Sequence, residues 1–199
     1  DPEWYTEANC LIRAQTDLVI NHTTARMPGT SIDQVLRYMR ETSEPVDMIS
    51  LNTGSITLNT PLVNGTRRTV VIPNSYEDIR QTVFICRERG IIPEPTVLDT
   101  GFLSNVVTLV QDGLLPSPRH LLVEFSGRFG DNFLIMPGTP QSYFYLTGCV
   151  REIFPKATWI AHGIEESVFT IASLAITTGA HVRVGFEDRT TLIDGSLAT

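Results

Sequence analysis

Apolar residues along the chain follow two alternating patterns. Short, mostly apolar runs typical of buried strands alternate with longer segments in which apolar residues recur at helical spacing. The short runs predict six strands, which read DLVINHTT (17–24), VDMISLN (46–52), EPTVLD (94–99), HLLVEFSG (120–127), ATWIAHG (157–163) and AHVRVGFED (180–188). An amphipathic segment precedes the first strand, and a helical segment separates each strand from the next.

Sequence signals for helix ends support this division. Ser31 and Gln34 have the spacing of a capping box, in which each side chain bonds the backbone N–H of the other residue. Gly90 predicts the end of a helix, because glycine readily adopts the left-handed conformation that follows one. Thr139 and Pro140 predict a helix start, since proline suits the first helical position.

Strict alternation of strands and helices predicts a parallel sheet, because parallel strands need crossover connections. A doubly wound sheet and a TIM (β/α)8 barrel both fit this pattern. Polar residues at the carboxyl ends of the predicted strands favour the barrel, in which every strand contributes to a site at that edge. They are Asn21, Thr23, Ser50, Asn52, Asp99, Glu124, Ser126, His162, Arg183 and Glu187. The glycine-rich G-x-G-x-x-G turn, more typical of doubly wound sheets, does not occur in the sequence.

The length of the chain limits how much of a barrel it can form. A complete barrel takes roughly 250 residues, and the chain has 199. It begins inside a predicted helix and ends shortly after the last predicted strand. We therefore expect an α/β fold, a TIM (β/α)8 barrel present as a fragment carrying strands 3–8. Residues 1–199 would form a single partial catalytic domain.

Composition and charge narrow the classes of function. Hydrophobic residues make up 42% of the chain and charged residues 19%, as in ordinary soluble globular domains. The net charge of −7 argues against a nucleic-acid or anionic-membrane partner. Three widely spaced cysteines, Cys10, Cys86 and Cys149, predict free thiols in a reducing compartment, and no apolar run is long enough to span a bilayer. We therefore expect a cytoplasmic protein.

The last predicted strand carries charges on one face. Arg183 and Glu187 share that face, because side chains alternate along a strand, and Asp188 follows directly. A charge in the interior is costly unless it is paired, bound to a metal or facing a wet cavity. From the residues alone, a structural ion pair is as good an interpretation as a catalytic site.

Two further polar residues lie near strand ends. His162 could be a metal ligand or a substrate contact, although such a histidine is more often a structural hydrogen-bonding group. Glu124 could meet the substrate or Arg128, and a plain salt bridge is an equal alternative. The glycine-containing loop SGRFGDNFLIMPGTP fits an active-site lid better than a phosphate-binding loop.

Segments spread over nearly the whole chain resemble one known family. They are VINHTT, SLNTGS, NSYEDIRQTVFICRERGIIPEPTVLDTGFL, DGLLPSPRHLLVEF, ATWIAHGI and GAHVRVGFED. In this order the segments resemble the β-keto acid cleavage enzymes, and G-x-H-V-R-V-G-x-E-D is the most distinctive motif. The resemblance implies a zinc-dependent TIM barrel and a homo-oligomer. Its activity would be acyl transfer between a β-keto acid and acetyl-CoA, giving acetoacetate and an acyl-CoA.

The resemblance also assigns roles to residues. Glu187 falls on the glutamate that holds zinc, and Asp188 falls on the general base. Arg183 falls on the arginine that orients and tunes this base. The substrate-binding positions fall on four small residues, Thr23, Thr24, Gly54 and Ser55.

Two departures from the family pattern concern the metal and the substrate. The family's H-x-H zinc motif does not occur in the sequence, so we expect two further histidine ligands upstream of residue 1. Thr96 stands where the family often has glutamate. Two alternatives stay open. One is a metal-dependent aldolase or decarboxylase on the same barrel, which needs no acetyl-CoA, and the other is a catalytically inert barrel fragment.

Overall fold

A computed structural model describes residues 2–26, 29–59, 64–129 and 132–198, which form a six-stranded parallel sheet and two small hairpins. The sheet strands are β1 (Asn21–Thr23), β2 (Met48–Asn52), β5 (Ile92–Val97), β6 (His120–Ser126), β9 (Thr158–Ile164) and β10 (His181–Arg183). The hairpins are β3 (Ile56–Asn59) with β4 (Thr69–Ile72), and β7 (Arg128–Phe129) with β8 (Asn132–Phe133). The helices are α1 (Pro2–Gln15), α2 (Ile32–Glu41), α3 (Tyr76–Arg89), α4 (Thr100–Gln111), α5 (Pro140–Ile153), a 3₁₀ turn (Glu165–Ser167) and α6 (Val168–Thr178).

The strands follow one another across the sheet in chain order, β1-β2-β5-β6-β9-β10, and every neighbouring pair is parallel. Right-handed crossovers that always step in the same direction leave the helices on one face, so the sheet forms the wall of a barrel. A doubly wound sheet would instead reverse its strand order at a switch point. The fold is therefore α/β and part of a (β/α)8 barrel, as the sequence predicts.

Side-chain alternation separates the two faces of this wall. On β6, Leu121, Val123 and Phe125 are buried in the main core, together with Tyr143 of α5 and Ile171 of α6. Burial of such apolar side chains is the dominant force that holds helices on a sheet. The alternate residues of each strand face the opposite side of the sheet, which is the interior of the barrel.

The interior face carries an open cleft of about 800 Å³ near the amino ends of the strands. Within it, Glu94 is only 2% exposed. Its Oε2 accepts a hydrogen bond from Asn21 Nδ2 over 2.9 Å. Its Oε1 lies 3.0 Å from His120 Nε2, close in distance but not aligned as a hydrogen bond. These polar neighbours offset part of the cost of burying a carboxylate.

The predicted helix ends agree with the structure. Ser31 Oγ accepts a hydrogen bond from Gln34 N over 3.2 Å and Gln34 Oε1 accepts one from Ser31 N over 2.8 Å, which confirms the capping box. Gly90 ends α3 in a left-handed conformation with φ 70°. Thr139 caps α5 by accepting a hydrogen bond from Ser142 N. None of the described helices has both the length and the apolar character needed to cross a bilayer.

The last strand is shorter than the sequence predicts. β10 ends at Arg183 instead of continuing to Asp188. The chain turns there because the carbonyl of Gly185 accepts hydrogen bonds from two following N–H groups, one of them that of Asp188. Side chains beyond Arg183 therefore stop alternating between the faces of the sheet. Phe186, an apolar residue of the predicted strand, is 62% exposed.

Both hairpins are missing from the sequence prediction. Ile56 lies opposite Ile72 in the β3–β4 pair, which follows β2. The β7–β8 pair lies in the loop predicted to be a lid, with Arg128 opposite Phe133. These strands are at most four residues long, which is too short for a hydrophobic period to identify.

Candidate active site

Charged and polar side chains from β6, β9 and the turn after β10 meet at the carboxyl edge of the sheet. Asp188 is 4% exposed, and its Oδ1 lies 2.7 Å from Nε2 of His162. The other ring nitrogen of His162, Nδ1, is hydrogen-bonded to Oε1 of Glu124 over 2.9 Å. The His162 ring, only 2% exposed, thus bridges two carboxylates, although its Nε2 contact is not aligned as a linear hydrogen bond.

Arg183 extends this chain of contacts toward solvent. Its Nη1 lies 3.7 Å from Oε1 of Glu124, and its Nη2 lies 3.1 Å from Oε2 of Glu187, whose side chain is 84% exposed. Strand register explains the arrangement, because Glu124 pairs with His162 and His162 pairs with Arg183 on adjacent parallel strands. Side chains at one level on neighbouring strands are about 4.8 Å apart, within reach of ion pairs and hydrogen bonds.

An unusual backbone conformation holds the turn that carries Asp188. Glu165 has φ 56°, in the left-handed region that few residues other than glycine adopt. Its N–H donates a hydrogen bond to the carbonyl of Asp188 over 2.9 Å. Next to it, Glu166 accepts a hydrogen bond from Arg128 N over 2.7 Å. Such strained residues persist where surrounding contacts hold them, and they are concentrated at functional sites.

Glu187 can supply one oxygen ligand to a metal ion. Catalytic zinc sites use three protein ligands and keep a further position open. In the part of the chain that the structure describes, no three His, Cys, Asp or Glu side chains are grouped so that they could hold a metal. The described residues by themselves therefore do not fit a complete zinc site.

The predicted substrate residues Thr23 and Thr24 lie where β1 ends. Thr24 Oγ1 donates a hydrogen bond to the carbonyl of Ser50 over 2.6 Å, which ties the end of β1 to β2. Thr23 Oγ1 accepts a hydrogen bond from Ala25 N over 3.0 Å and keeps its own proton for donation. Burial raises the pKa of Tyr38, so its hydroxyl stays protonated and donates to the carbonyl of Thr23.

Gly54 and Ser55 follow β2 and have different surroundings. Gly54 packs against the ring of Phe102, and a Cβ at position 54 would lie 2.9 Å from the nearest ring atom. Ser55 is exposed, and its Oγ accepts a hydrogen bond from Asn74 N over 2.8 Å. Gly54 therefore permits a close approach of chain to helix, while the Ser55 hydroxyl stays available as a donor.

The predicted site residues form two groups along one edge of the sheet. Arg183, Glu187 and Asp188 are at the β10 side, and the four small residues follow β1 and β2 at the other side. β5, β6 and β9 lie between the two groups. Thr96 on β5 is 1% exposed, and its hydroxyl has no hydrogen-bond partner among the described residues. A substrate that contacts both groups would have to span the carboxyl edge of the sheet, from the β1–β2 side to the β10 side.

His162 and Glu124 are the residues whose role the sequence leaves open. Their signal is a polar side chain at an alternate position of an apolar strand, and this signal is present in HLLVEFSG and ATWIAHG. The strand register that brings them together is a property of the folded sheet. Local sequence therefore marks the two residues as candidates without showing that they meet.

The fold and the polar cluster at the carboxyl edge define a class of protein, the TIM-barrel enzymes, in which that edge carries the active site. The likeness extends to a solved structure, the ternary complex of ObcA with a C4-CoA adduct and oxalate. It matches with a TM-score of 0.67 and 14% identity, over 96% of this chain and 47% of that one. At this identity the likeness shows the fold alone.

The chain belongs to the β-keto acid cleavage enzyme family, whose model matches residues 1–199.

Curated relatives agree with the family that the sequence motifs indicate. A 3-keto-5-aminohexanoate cleavage enzyme of Fusobacterium nucleatum is 30% identical over 132 residues, 64% of this chain and 43% of the relative. A 3,5-dioxohexanoate:acetyl-CoA acetone transferase of Paraburkholderia graminis is 25% identical over 214 residues, covering 100% of this chain and 67% of the relative. The match with the Fusobacterium enzyme thus spans less than half the length of that relative.

Proposed function

We propose that this chain forms part of a β-keto acid:acetyl-CoA acyltransferase, which converts a β-keto acid and acetyl-CoA into acetoacetate and a new acyl-CoA. The observation that carries the proposal is a buried carboxylate at the carboxyl edge, that of Asp188, which lies 2.7 Å from Nε2 of His162. The turn that presents it is held by the Glu165 N–H, which donates to the main-chain carbonyl of Asp188. Family membership and the names of the relatives, which include a 3,5-dioxohexanoate:acetyl-CoA acetone transferase, support the same reaction class.

The reaction needs a base beside the acidic C–H that lies between the ketone and the carboxylate of the substrate. Asp188 would accept this proton and leave the electron pair on carbon. The carbon then attacks the thioester carbonyl of acetyl-CoA, and the CoA thiolate leaves. The thiolate attacks the original ketone carbon, the bond between that carbon and the nucleophilic carbon breaks, and acyl-CoA forms. Return of the proton to carbon completes acetoacetate.

Other residues along the edge would position the reactants. The guanidinium of Arg183 is linked to Asp188 through Glu124 and His162, and it places positive charge near the base. The hydroxyls of Thr23 and Ser55 accept backbone hydrogen bonds and keep their protons free to donate. Donors of this kind stabilise negative charge that develops on carbonyl oxygens during acyl transfer.

Zinc stays part of the proposal through Glu187. When bound, the ion would supply Lewis-acid stabilisation of substrate oxygens. Since the described residues offer one ligand, we predict that two histidines complete the site. Metal analysis of the complete gene product tests this prediction, and Glu187→Gln should lower the zinc content. An unchanged zinc content in this variant would contradict the assignment of Glu187.

The reaction is tested by supplying the complete gene product with a panel of β-keto acids, with and without acetyl-CoA, and measuring acyl-CoA and acetoacetate by mass spectrometry. Turnover should require acetyl-CoA, and Asp188→Asn should lower kcat by about 10²–10⁴-fold. Glu152→Gln, which changes an exposed carboxylate on α5, is the matched control. Product formed without acetyl-CoA would favour the aldolase or decarboxylase alternative. No turnover with any acid would favour the inert barrel.

The predicted homo-oligomer is tested separately. α5 and α6 carry apolar side chains that are exposed in the single chain, including Phe144 at 55% and Ile176 at 70%. Light scattering coupled to size-exclusion chromatography should give a mass that is two or more times the mass of one chain. A monomeric mass at micromolar concentration would contradict this prediction.

A further inference from the structure

We propose that His162 is the positioning residue for Asp188: its Nε2 holds the carboxylate in place while its Nδ1 is anchored on Glu124. The proposal rests on the proposed function, because it treats Asp188 as the base. It also goes beyond that function, since the family resemblance gives the orienting role to Arg183 and assigns none to His162.

Burial gives the first reason. Asp188 is 4% exposed and His162 is 2% exposed, so neither group is well solvated. A carboxylate withdrawn from water is costly unless a polar or charged partner accompanies it. The structure pairs Asp188 with Nε2 of His162 at 2.7 Å. Without the imidazole, the carboxylate would have to reorient toward water.

The second reason is that the imidazole is itself fixed. Its Nδ1 is hydrogen-bonded to Oε1 of Glu124 over 2.9 Å. Glu124 and His162 are register partners on adjacent strands, so the contact joins β6 to β9 within a run of seven paired residues. Bonding at one ring nitrogen sets the orientation of the other. Nε2 is therefore directed at one place, the turn after β10.

The third reason is the orientation of Arg183. Its two terminal nitrogens lie 3.7 Å from Glu124 and 3.1 Å from Glu187. Its link to Asp188 runs through Glu124 and the imidazole of His162, whereas His162 contacts Asp188 directly. Loss of the His162 side chain would therefore change the surroundings of the Asp188 carboxylate directly, whereas loss of Arg183 would act through two intervening side chains.

Two amide variants separate the two ring contacts. In His162→Gln the side-chain amide reaches the position of Nε2, and in His162→Asn it reaches that of Nδ1. The reporter is the Glu165 N–H, which donates to the carbonyl of Asp188 and can be followed by NMR hydrogen exchange on the complete gene product. Exchange at Val106, buried in α4, is the internal reference.

Glu165 exchange should rise by about tenfold or more in His162→Asn and stay near the wild-type rate in His162→Gln. Equal rates in the wild type and His162→Asn would overturn the proposal. Equal acceleration in both variants would also overturn it, because the effect would then be general loosening of the strand. If His162→Asn does not fold, the wild-type protein decides. A nuclear Overhauser effect between a ring proton of His162 and the β-protons of Asp188 is expected in the wild-type protein, and its absence would refute the contact.

Kinetics supply a second readout on the complete gene product. A misplaced base should lower kcat on the order of a hundredfold in His162→Asn, with little change in KM, and His162→Gln should restore most of it. A fall in kcat that His162→Gln does not restore would overturn the positioning role. If the wild type itself shows no turnover, the proposed function fails, while the exchange experiment still decides whether His162 holds the turn.

Discussion

Replacing Gly54 by alanine tests the close packing at the β2 end of the site. A Cβ at position 54 would lie 2.9 Å from one ring atom of Phe102 and 3.1 Å from two others. Phe102 is 7% exposed and belongs to the main core, so its ring has little room to move. Overpacking of this kind costs about 1–3 kcal/mol. For a domain of this size, each kcal/mol lowers Tm by about 2–4 °C.

Gly148 provides a matched control for the same chemical change. It lies within α5, and a Cβ built there meets nothing within 4 Å. Gly148→Ala should therefore stabilise the protein by about 0.5–1 kcal/mol, because alanine restricts the unfolded chain and favours a helix. Urea unfolding followed by circular dichroism gives the free energy of unfolding for both variants.

A double-mutant cycle with Phe102→Leu identifies the origin of the effect. If the alanine methyl presses on the ring, shortening that side chain should recover part of the loss, and the two changes should not be additive. A Gly54→Ala variant as stable as the wild type would refute the packing argument. Strict additivity with Phe102→Leu would place the strain elsewhere.

Three further predictions concern stability and thiol reactivity. Thr53→Val should lower the free energy of unfolding by about 1–3 kcal/mol in a urea titration, because the one proton of the buried hydroxyl is shared between the carbonyls of Thr96 and Phe102, 2.8 and 3.1 Å away. No loss of stability would contradict this. The Ile20 N–H and the Arg13 guanidinium lower the pKa of Asp47 in the folded protein. The Asp47 carboxylate therefore stabilises the fold above the unfolded pKa of about 3.9, and this stabilisation is lost as pH falls through the lower folded pKa. Asp47→Asn should therefore flatten the acid side of the stability–pH curve, and an identical curve would refute the linkage. Burial raises the pKa of the Cys86 thiol to about 12, so a thiol reagent should modify exposed Cys10 quickly and Cys86 only on unfolding; rapid labelling of Cys86 would contradict its burial.

Local patterns determine most of the fold because the positions that become buried recur along the chain in a way that differs between strands and helices. A strand buried on both faces needs a continuous apolar run, and a helix that covers it needs an apolar stripe. The cap at Ser31 and the left-handed glycine at Gly90 follow from hydrogen bonding and sterics within a few residues, so they too can be predicted. Turns that depend on one carbonyl, such as that of Gly185, have no such signal, and the predicted end of the last strand was wrong for this reason.

What the sequence alone determined is the repeated strand–helix unit, the polar carboxyl edge and the residues that resemble one enzyme family. The tertiary structure decided which of those residues touch. It joined Asp188 to His162 and His162 to Glu124, and it left Arg183 linked to Asp188 through these two side chains. The physical reason is that neighbouring parallel strands are separated by a whole helix in the chain. Their register is therefore set by how the helices pack on the sheet, and no local spacing of residues encodes it.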